Sequence, residues 1–565
     1  MNEAVRATGL ESAGRTEIRP SYSVLIIGGG INGCGVFRDL CEQGVDVLLV
    51  ERGDFCSGAS AAPSRLIHGG IKYLETGEFR LVAQSARERN LLLQNAPHYV
   101  KPLEAFLPVR SWFGGIVPSA LRFFGFKTKL TDRGAIITRI GLLLYDLFGR
   151  HFRTMPNHKM LGARRARASM PGLDPEISAV GVYYEAKITH AERLGLELLL
   201  DGEKANPTSQ ALNYAMIERG TDGRFVLTDR ISGESRPVAA DIVINAGGAW
   251  IDAVNAGLGI NSRHMGGNKG SHAVVRHPEL YNALNGRMVY FGTADGRVNL
   301  LYPFMGNILL GATDIPVADP DTAVCTDAEI DYMLDVIREV FPDIALSRDH
   351  IAMTYCGVRP LPRSEGLAPG EVSRDHSIAE DRLPGTNTSV LSLIGGKWTT
   401  FRGFAEEVSD LVLDRLKRRR KASTERLAIG GGRDFPRDEA SLRIAAIELA
   451  GAFSIAKDDA LRLLDRYGTQ ARALLRAQPG PLSMLKQLPD YSRQEIVWFC
   501  QSEKVGRLDD ILFRRTDVAL SGKLTEAVLL EIGAVAAEAL GWSELRLAEE
   551  LDASRATARR NHIAL

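Results

Sequence analysis

Hydrophobic positions change rhythm several times along this chain, and each change marks an element. Val24-Leu25-Ile26-Ile27 is a continuous apolar run ending in glycines, the pattern of a strand buried on both faces. From about 31 to 43 the apolar positions take up helical spacing, with Val36, Phe37 and Leu40 on one side. Residues 45–50 return to a continuous run, closed by Glu51. The three segments make a β-α-β unit. Strand patterns recur at 210–218, 225–229 and 241–245, and again at 389–394, where Gly395-Gly396 follow. After Thr400, residues Phe401, Phe404, Val408, Leu411, Val412 and Leu416 fall at helical spacing. Lys417-Arg418-Arg419-Arg420-Lys421 and Gly430-Gly431-Gly432 then punctuate the chain. Beyond Pro436 it reads as nearly all helix, rich in Ala, Leu, Arg and Glu. The expected organisation is a flexible extension over 1–20, an α/β region over 21–420, and a helical domain over 436–565.

Composition narrows the class. A chain of 565 residues is too long for one compact core, and 45% hydrophobic with 24% charged residues is ordinary for a soluble globular protein. Lys plus Arg and Asp plus Glu both number 69, which points away from nucleic acid. Six scattered cysteines with no CxxC pair suit reduced thiols in a cytoplasmic protein and no metal site. The first 20 residues show no signal-peptide pattern. No run approaches the roughly 20 apolar residues a spanning helix needs.

Gly28-Gly29-Gly30-Ile31-Asn32-Gly33 fits G-x-G-x-x-G between the first strand and the first helix. In that motif Gly28 permits the tight turn, Gly30 lets the backbone approach a pyrophosphate, and Gly33 lets helix and strand pack closely. The helix N-terminus then offers free N–H groups to the phosphates. Glu51, 23 residues after Gly28, can bind ribose hydroxyls and would repel a 2′-phosphate, so NADP is disfavoured. The motif does not choose between FAD and NAD. Its place near the start of the chain favours a flavoprotein. So does Ile242-Val243-Ile244-Asn245-Ala246-Gly247-Gly248, a strand ending in Ala-Gly that would bring Gly247 back to the cofactor.

Several further segments carry a wider likeness. They include Ser64-Arg65-Leu66-Ile67-His68-Gly69-Gly70-Ile71-Lys72-Tyr73-Leu74-Glu75, Lys269-Gly270-Ser271-His272 and Gly311-Ala312-Thr313-Asp314. Tyr355-Cys356-Gly357-Val358-Arg359-Pro360-Leu361, Ser373-Arg374-Asp375 and Gly395-Gly396-Lys397-Trp398-Thr399-Thr400-Phe401-Arg402 follow, then residues 507–516. With them the chain resembles FAD-dependent glycerol-3-phosphate dehydrogenases from about Tyr22 to Leu520. The resemblance implies an α/β fold: an N-terminal dinucleotide-binding flavoprotein fold interleaved with a substrate-binding sheet domain, plus a helical C-terminal domain. It implies FAD as cofactor, oxidation of glycerol 3-phosphate to dihydroxyacetone phosphate, and a quinone as electron acceptor. By the same resemblance Arg359, Arg374 and Lys397 stand at the substrate with Lys72 and Tyr73, while Ser64, His68, Gly69 and Gly396 stand at the flavin.

Three departures stand out. Lys72 replaces the family's usual Arg, Thr189-His190-Ala191-Glu192-Arg193 replaces an Asp-Ala-Arg element, and residues 111–132 form an apparent insertion. The first two are expected near the substrate, which leaves the polyol open.

Flavin oxidation of a secondary alcohol requires a hydride acceptor, a base for the hydroxyl proton, and a fixed phosphate. Arginine forks bind phosphate bidentately and Lys supplies a point charge. His272 is the candidate base, because imidazole titrates near neutrality; its alternative is a hydrogen bond to substrate or flavin. Lys397 suits either the substrate or the flavin N1–C2 edge. Competing readings are another polyol phosphate such as erythritol phosphate, an amine or hydroxy acid, and a non-catalytic flavin-binding module. A homodimer is left open.

The insertion interleaves Trp112, Phe113, Ile116, Val117, Leu121, Phe123 and Phe124 with Arg122, Lys127 and Lys129, the composition of an interfacial segment. Peripheral contact with the cytoplasmic face of a membrane is therefore expected there, aided by the 417–421 run. The competing expectation makes 136–148 a buried helix with the insertion as its cap.

Overall fold

The computed structural model describes residues 18–74, 77–114, 134–150, 152–220, 224–293, 297–363 and 374–565. Most of the extension and of the insertion therefore lies outside the described residues.

The four apolar runs that end in glycine or acid become one parallel sheet. Ser21–Ile27 pairs in parallel with Val47–Val50 on one side and Ser235–Asn245 on the other. Gln210–Leu212 and Ser389–Ile394 extend it in parallel, and Ser377–Arg382 closes one edge antiparallel. The helix Ile31–Glu42 lies against the helices Ala191–Ala205 and Phe401–Arg415. The approach is close: a Cβ on Gly35 would sit 2.8 Å from the Phe401 ring.

A second, ten-stranded and largely antiparallel sheet stands beside the first. Near one side of it, Asn268–Val275 is the central strand of a trio with Asn307–Gly311 and Ile351–Arg359. The sequence pattern did not resolve most of these strands. Asn268–Val275 and Asn307–Gly311 are buried on both faces throughout, so there neither period dominates.

From Glu439 to Arg560 the chain is helical. Its core is continuous with that of the second sheet: Tyr302, Phe304 and Met353 share one hydrophobic cluster with Tyr467, Phe499 and Leu512.

Buried ion pairs lock this seam. Asp54, on the loop after the second strand, accepts from Arg514 Nε (2.5 Å) and from Arg515 Nη1 and Nη2 (2.6 and 3.0 Å). Tyr214 and Arg514 both donate to Asp510. Arg193 forks onto Glu503 at 2.6 and 2.8 Å. Within 189–193, Arg193 faces the helical region, while Glu192 lines the cavity with its carboxylate held in a buried pair with Arg65 (2.5 and 2.8 Å). The segment expected near the substrate thus reaches the cavity through Glu192 alone.

The glycine run is no loose linker either. A Cβ on Gly431 would fall 2.0 Å from the Tyr467 carbonyl oxygen, and one on Gly432 would fall 2.4 Å from that of Asn95. Within 417–421, Arg420 pairs with Asp39 and Asp410, and Arg418 bonds the Gly44 carbonyl. That run closes helix ends.

Removing one partner of a buried pair leaves the other charge uncompensated, at about 3–5 kcal/mol. Asp54→Ala should destabilise the protein by that order, read as a lower chemical-denaturation midpoint. Burial raises the Asp54 carboxyl, but the Arg515 and Arg514 charges outweigh it and hold the group well below the usual carboxylate range. The native carboxyl therefore titrates below its unfolded value of about 3.9. Its contribution is present above that value and is lost as the pH falls below it, so wild type and variant should converge in acid.

Candidate active site

One cavity of about 1980 Å³ runs between the two sheets. Its nucleotide end is built from glycines whose missing side chains have different reasons. Gly28 has φ +112°, and a Cβ there would lie 2.5 Å from the Ala246 carbonyl oxygen. Gly33 faces away from the cavity, where its Cβ would lie 2.0 Å from the Gly28 carbonyl oxygen. Its place is in helix–strand packing. Gly30 is the opposite case: a Cβ would meet only Ser60 Oγ, at 3.3 Å, and otherwise enter open cavity. That is the space a pyrophosphate needs beside a helix N-terminus. Glu51 lines the same end and accepts from the Gly29 and Gly53 N–H groups at 2.7 and 2.9 Å. Asn32 Oδ1 is buried with no hydrogen-bond partner among the described residues. The cradle fits a dinucleotide.

Gly247, Gly396, Ser64 and His68 also line the cavity. Gly69 does not, which corrects its assignment to the cofactor. Its N–H donates to Glu185, and a Cβ would lie 2.2 Å from the Tyr145 hydroxyl. Its absent side chain makes room for packing behind the wall. Arg52, Trp250 and Asp321, singled out by no sequence pattern, cross the nucleotide end. Asp321 accepts from Arg52 (2.6 Å) and from Trp250 Nε1 (3.0 Å).

The other end carries the cations. Arg359 ends the strand Ile351–Arg359, Arg374 precedes the strand Ser377–Arg382, Lys397 follows Gly395-Gly396, and Lys72 and Tyr73 sit on the turn Ile71–Leu74. All five line the cavity. Lys397 Nζ donates to Ser85 Oγ (3.0 Å) and lies 4.7 Å from the Tyr73 ring centroid. Burial pulls its pKa down to about 7, with the Arg374 charge assisting against Glu185. Burial, then the charges of Lys397 and Arg374, hold His68 well below the usual imidazole range.

His272 stands on the central strand Asn268–Val275. It is stacked on Tyr355 at 5.0 Å between centroids, and neither ring nitrogen has a partner among the described residues. Unpaired buried nitrogens are costly unless a ligand meets them. Burial, Arg359 and Arg65 lower its pKa to about 3, so it is neutral at physiological pH. Gly311 and Gly270 leave room for this arrangement: Cβ atoms there would lie 2.5 Å from His272 Cδ2 and 2.1 Å from Arg359 Nη2.

Glu185, itself on the cavity wall, accepts from Arg89, Tyr145 and the Gly69 N–H. Glu329 accepts from Lys269 (2.7 Å), Ser271 (2.9 Å) and Thr313 (2.7 Å). These carboxylates lie far in sequence from what they support and carry no local signal. Only Asp314, ending a Gly-Ala-Thr-Asp segment, was visible as part of a motif.

The glycines make separable predictions. Gly30→Val should fold, by circular dichroism, yet purify without flavin absorbance, because its side chain enters only the cofactor's space. Gly33→Val should fail to fold. Stoichiometric FAD in Gly30→Val would contradict the cradle.

Comparison with known proteins agrees with this geometry. A family model described as FAD dependent oxidoreductase matches residues 23–408, and one described as C-terminal domain of alpha-glycerophosphate oxidase matches 422–547. The chain is 33% identical over 524 residues to a glycerol-3-phosphate dehydrogenase of Synechocystis sp., covering 88% of this chain and 89% of that protein. It is 30% identical over 514 residues to the aerobic glycerol-3-phosphate dehydrogenase of Staphylococcus aureus, covering 88% and 86%. The glycerol-3-phosphate dehydrogenase from Bacillus halodurans, solved with FAD, superposes with a TM-score of 0.71 at 24% identity, over 96% of this chain and 95% of that one. This last likeness speaks to the fold. With a glycine cradle shaped for a dinucleotide and both family models matched in order along the chain, the protein belongs to the FAD-dependent glycerol-3-phosphate dehydrogenase family.

Proposed function

We propose that the protein oxidises the secondary alcohol of glycerol 3-phosphate to dihydroxyacetone phosphate and passes the electrons to a membrane quinone. The observation that carries the reading is one cavity wall. It presents Arg359, Arg374, Lys397 and Lys72 in the same cavity as the dinucleotide cradle, with a neutral histidine that has no partner among the described residues. The names of the relatives support the substrate.

Bound FAD supplies the hydride acceptor. Arg359 and Arg374 fix the phosphate by charge-assisted bonds, and Lys397 adds a further positive charge. His272 takes the hydroxyl proton on a ring nitrogen. Arg359 is one cause of its low pKa, so a phosphate dianion neutralising that guanidinium raises its basicity once substrate is bound. Lys72 in place of Arg loses a fork, which keeps a four-carbon polyol phosphate as the second reading.

The quinone reading draws on the helix Ala135–Phe148. The expectation of a buried helix holds for one side alone: Ala135, Thr138, Leu142 and Tyr145 face inward. Ile136, Ile140, Leu143, Leu144 and Leu147 are 38–53% exposed. Trp112 and Phe113, at 52% and 72% exposed, adjoin its start, and Phe79 lies 6.0 Å from Phe148 at its end. Arg139 and Arg150 are exposed on the same segment. An apolar face rimmed by Arg suits an anionic lipid surface. The other aromatic and basic positions of the insertion, from Ile116 to Lys129, lie outside the described residues. Among the described residues no helix is long and apolar enough to cross a membrane.

Four measurements test this. Anaerobic glycerol 3-phosphate should bleach the flavin faster than erythritol or threitol phosphate; a hundredfold preference for a four-carbon substrate would replace the first reading with the second. Arg359→Ala should lose on the order of 2–5 kcal/mol of transition-state binding, and efficiency within a few-fold of wild type would end its assignment. In the free enzyme Lys397 is charged below about pH 7 and neutral above. The pH profile of kcat/KM should therefore descend near 7, and Lys397→Arg, always charged, should lose that limb. For the membrane, wild type should co-sediment with anionic vesicles and a variant with Ile140, Leu143 and Leu147 changed to Glu should not. Equal binding by both would remove this helix from the reading.

A further inference from the structure

Arg359 and Arg374 pose a problem that the substrate alone does not solve: two guanidinium groups share one largely desolvated wall before any phosphate arrives. Burial and the Arg374 charge together lower Arg359 to about 10, against the pull of Asp314. Asp314 stands between them. Its Oδ1 accepts from Arg359 Nη1 at 3.0 Å, and its Oδ2 lies 3.9 Å from Arg374 Nη2.

We infer that Asp314 is a positioning residue that holds Arg359 and Arg374 as a preformed receptor for the substrate phosphate, an inference that rests on the polyol phosphate reading above. The hydrogen-bond count of Arg359 supports it. A guanidinium has five N–H groups. Nη1 donates to Asp314 and to the Lys269 carbonyl (3.3 Å), and Nη2 donates to the Thr313 carbonyl (3.1 Å). Nε–H and one Nη2–H have no partner among the described residues and are left for a phosphate. Asp314 therefore holds the guanidinium through Nη1 and leaves Nε to the phosphate.

The carboxylate is itself held on a rigid corner. The neighbouring Thr313 hydroxyl donates to Glu329 (2.7 Å) and accepts from the Ser271 N–H (2.9 Å). Glu329 is buried and also binds Lys269 and Ser271 on the central strand. One carboxylate against Arg359, Arg374, Lys397 and Lys72 leaves the wall net positive, so the anion is still attracted. The rival account makes Asp314 a brake whose charge merely competes with phosphate. The two accounts predict opposite signs.

The test compares Asp314→Ala and Asp314→Asn, as FAD-loaded enzyme, in steady-state turnover of glycerol 3-phosphate with a soluble acceptor. Binding of inorganic phosphate, followed by perturbation of the flavin spectrum, provides a probe that needs no turnover. Positioning predicts that Asp314→Ala raises KM at least tenfold with kcat within threefold, weakens phosphate binding in parallel, and keeps its FAD. Asp314→Asn still accepts from Arg359 through its amide oxygen and should recover much of that loss. If Asp314→Ala loses FAD, Asp314→Asn alone decides, with a KM between wild type and tenfold expected. A KM unchanged within twofold or lowered in the decisive variant overturns the inference, as does equal impairment by Ala and Asn. In those cases wild-type activity is intact and the functional reading stands. Wild type that binds neither inorganic phosphate nor any polyol phosphate overturns both.

Discussion

Arg359, Arg374 and Lys397 arrive from separate elements, yet line one cavity with little exposure to solvent. Their mutual repulsion is what the surrounding fold has to offset, because like charges interact far more strongly where the local dielectric is low. Three carboxylates can be understood from that requirement. Asp314 lies between the two arginines. Glu185 sits beneath the Gly69 turn and pulls the Lys397 charge in the favourable direction. Glu329 ties the central strand to the corner that carries Asp314. The two that are buried, Glu185 and Glu329, each accept from several donors, as a buried charge must.

The same principle governs the seam with the helical region. Asp54 leaves the dinucleotide sheet just beyond Glu51, and Arg514 and Arg515 meet it from the far end of the chain. Arg193 and Glu503 repeat the arrangement nearby. The loop that carries the cofactor's carboxylate is thus anchored to the helical region by ion pairs with little exposure to solvent. Such pairs contribute little net stability but strongly disfavour any other register, since a misplaced partner would strand a buried charge.

The helix Ala135–Phe148 joins two of these themes. Its inner Tyr145 bonds both Arg89 and Glu185 at the cavity wall, while its outer apolar side is exposed among the described residues. A periodicity argument treats such a helix as a core element, because its apolar residues run almost all the way round. Burial on one side only is a fact about its neighbours, and neighbours are not written in the local pattern.

The sequence by itself determined the β-α-β unit, the glycine cradle and its acid, the parallel strands that return to it, and the helical character of the end of the chain. These follow from backbone sterics and local hydrophobic period, which act over a few residues: Gly28 and Gly33 are required by contacts that any strand–turn–helix of this kind makes. It also carried, through its motifs, Arg359, Lys397 and His272. What only the tertiary structure decided is which carboxylates serve those cations, that Gly69 packs against Tyr145, that Arg193 faces the helical region, and that one helix is exposed on its outer side among the described residues. Asp54 and Arg515 are 461 residues apart, and Ser85 and Lys397 are 312 apart. Charge compensation acts through space between groups placed by separate elements, so no window along the chain contains both halves of the interaction.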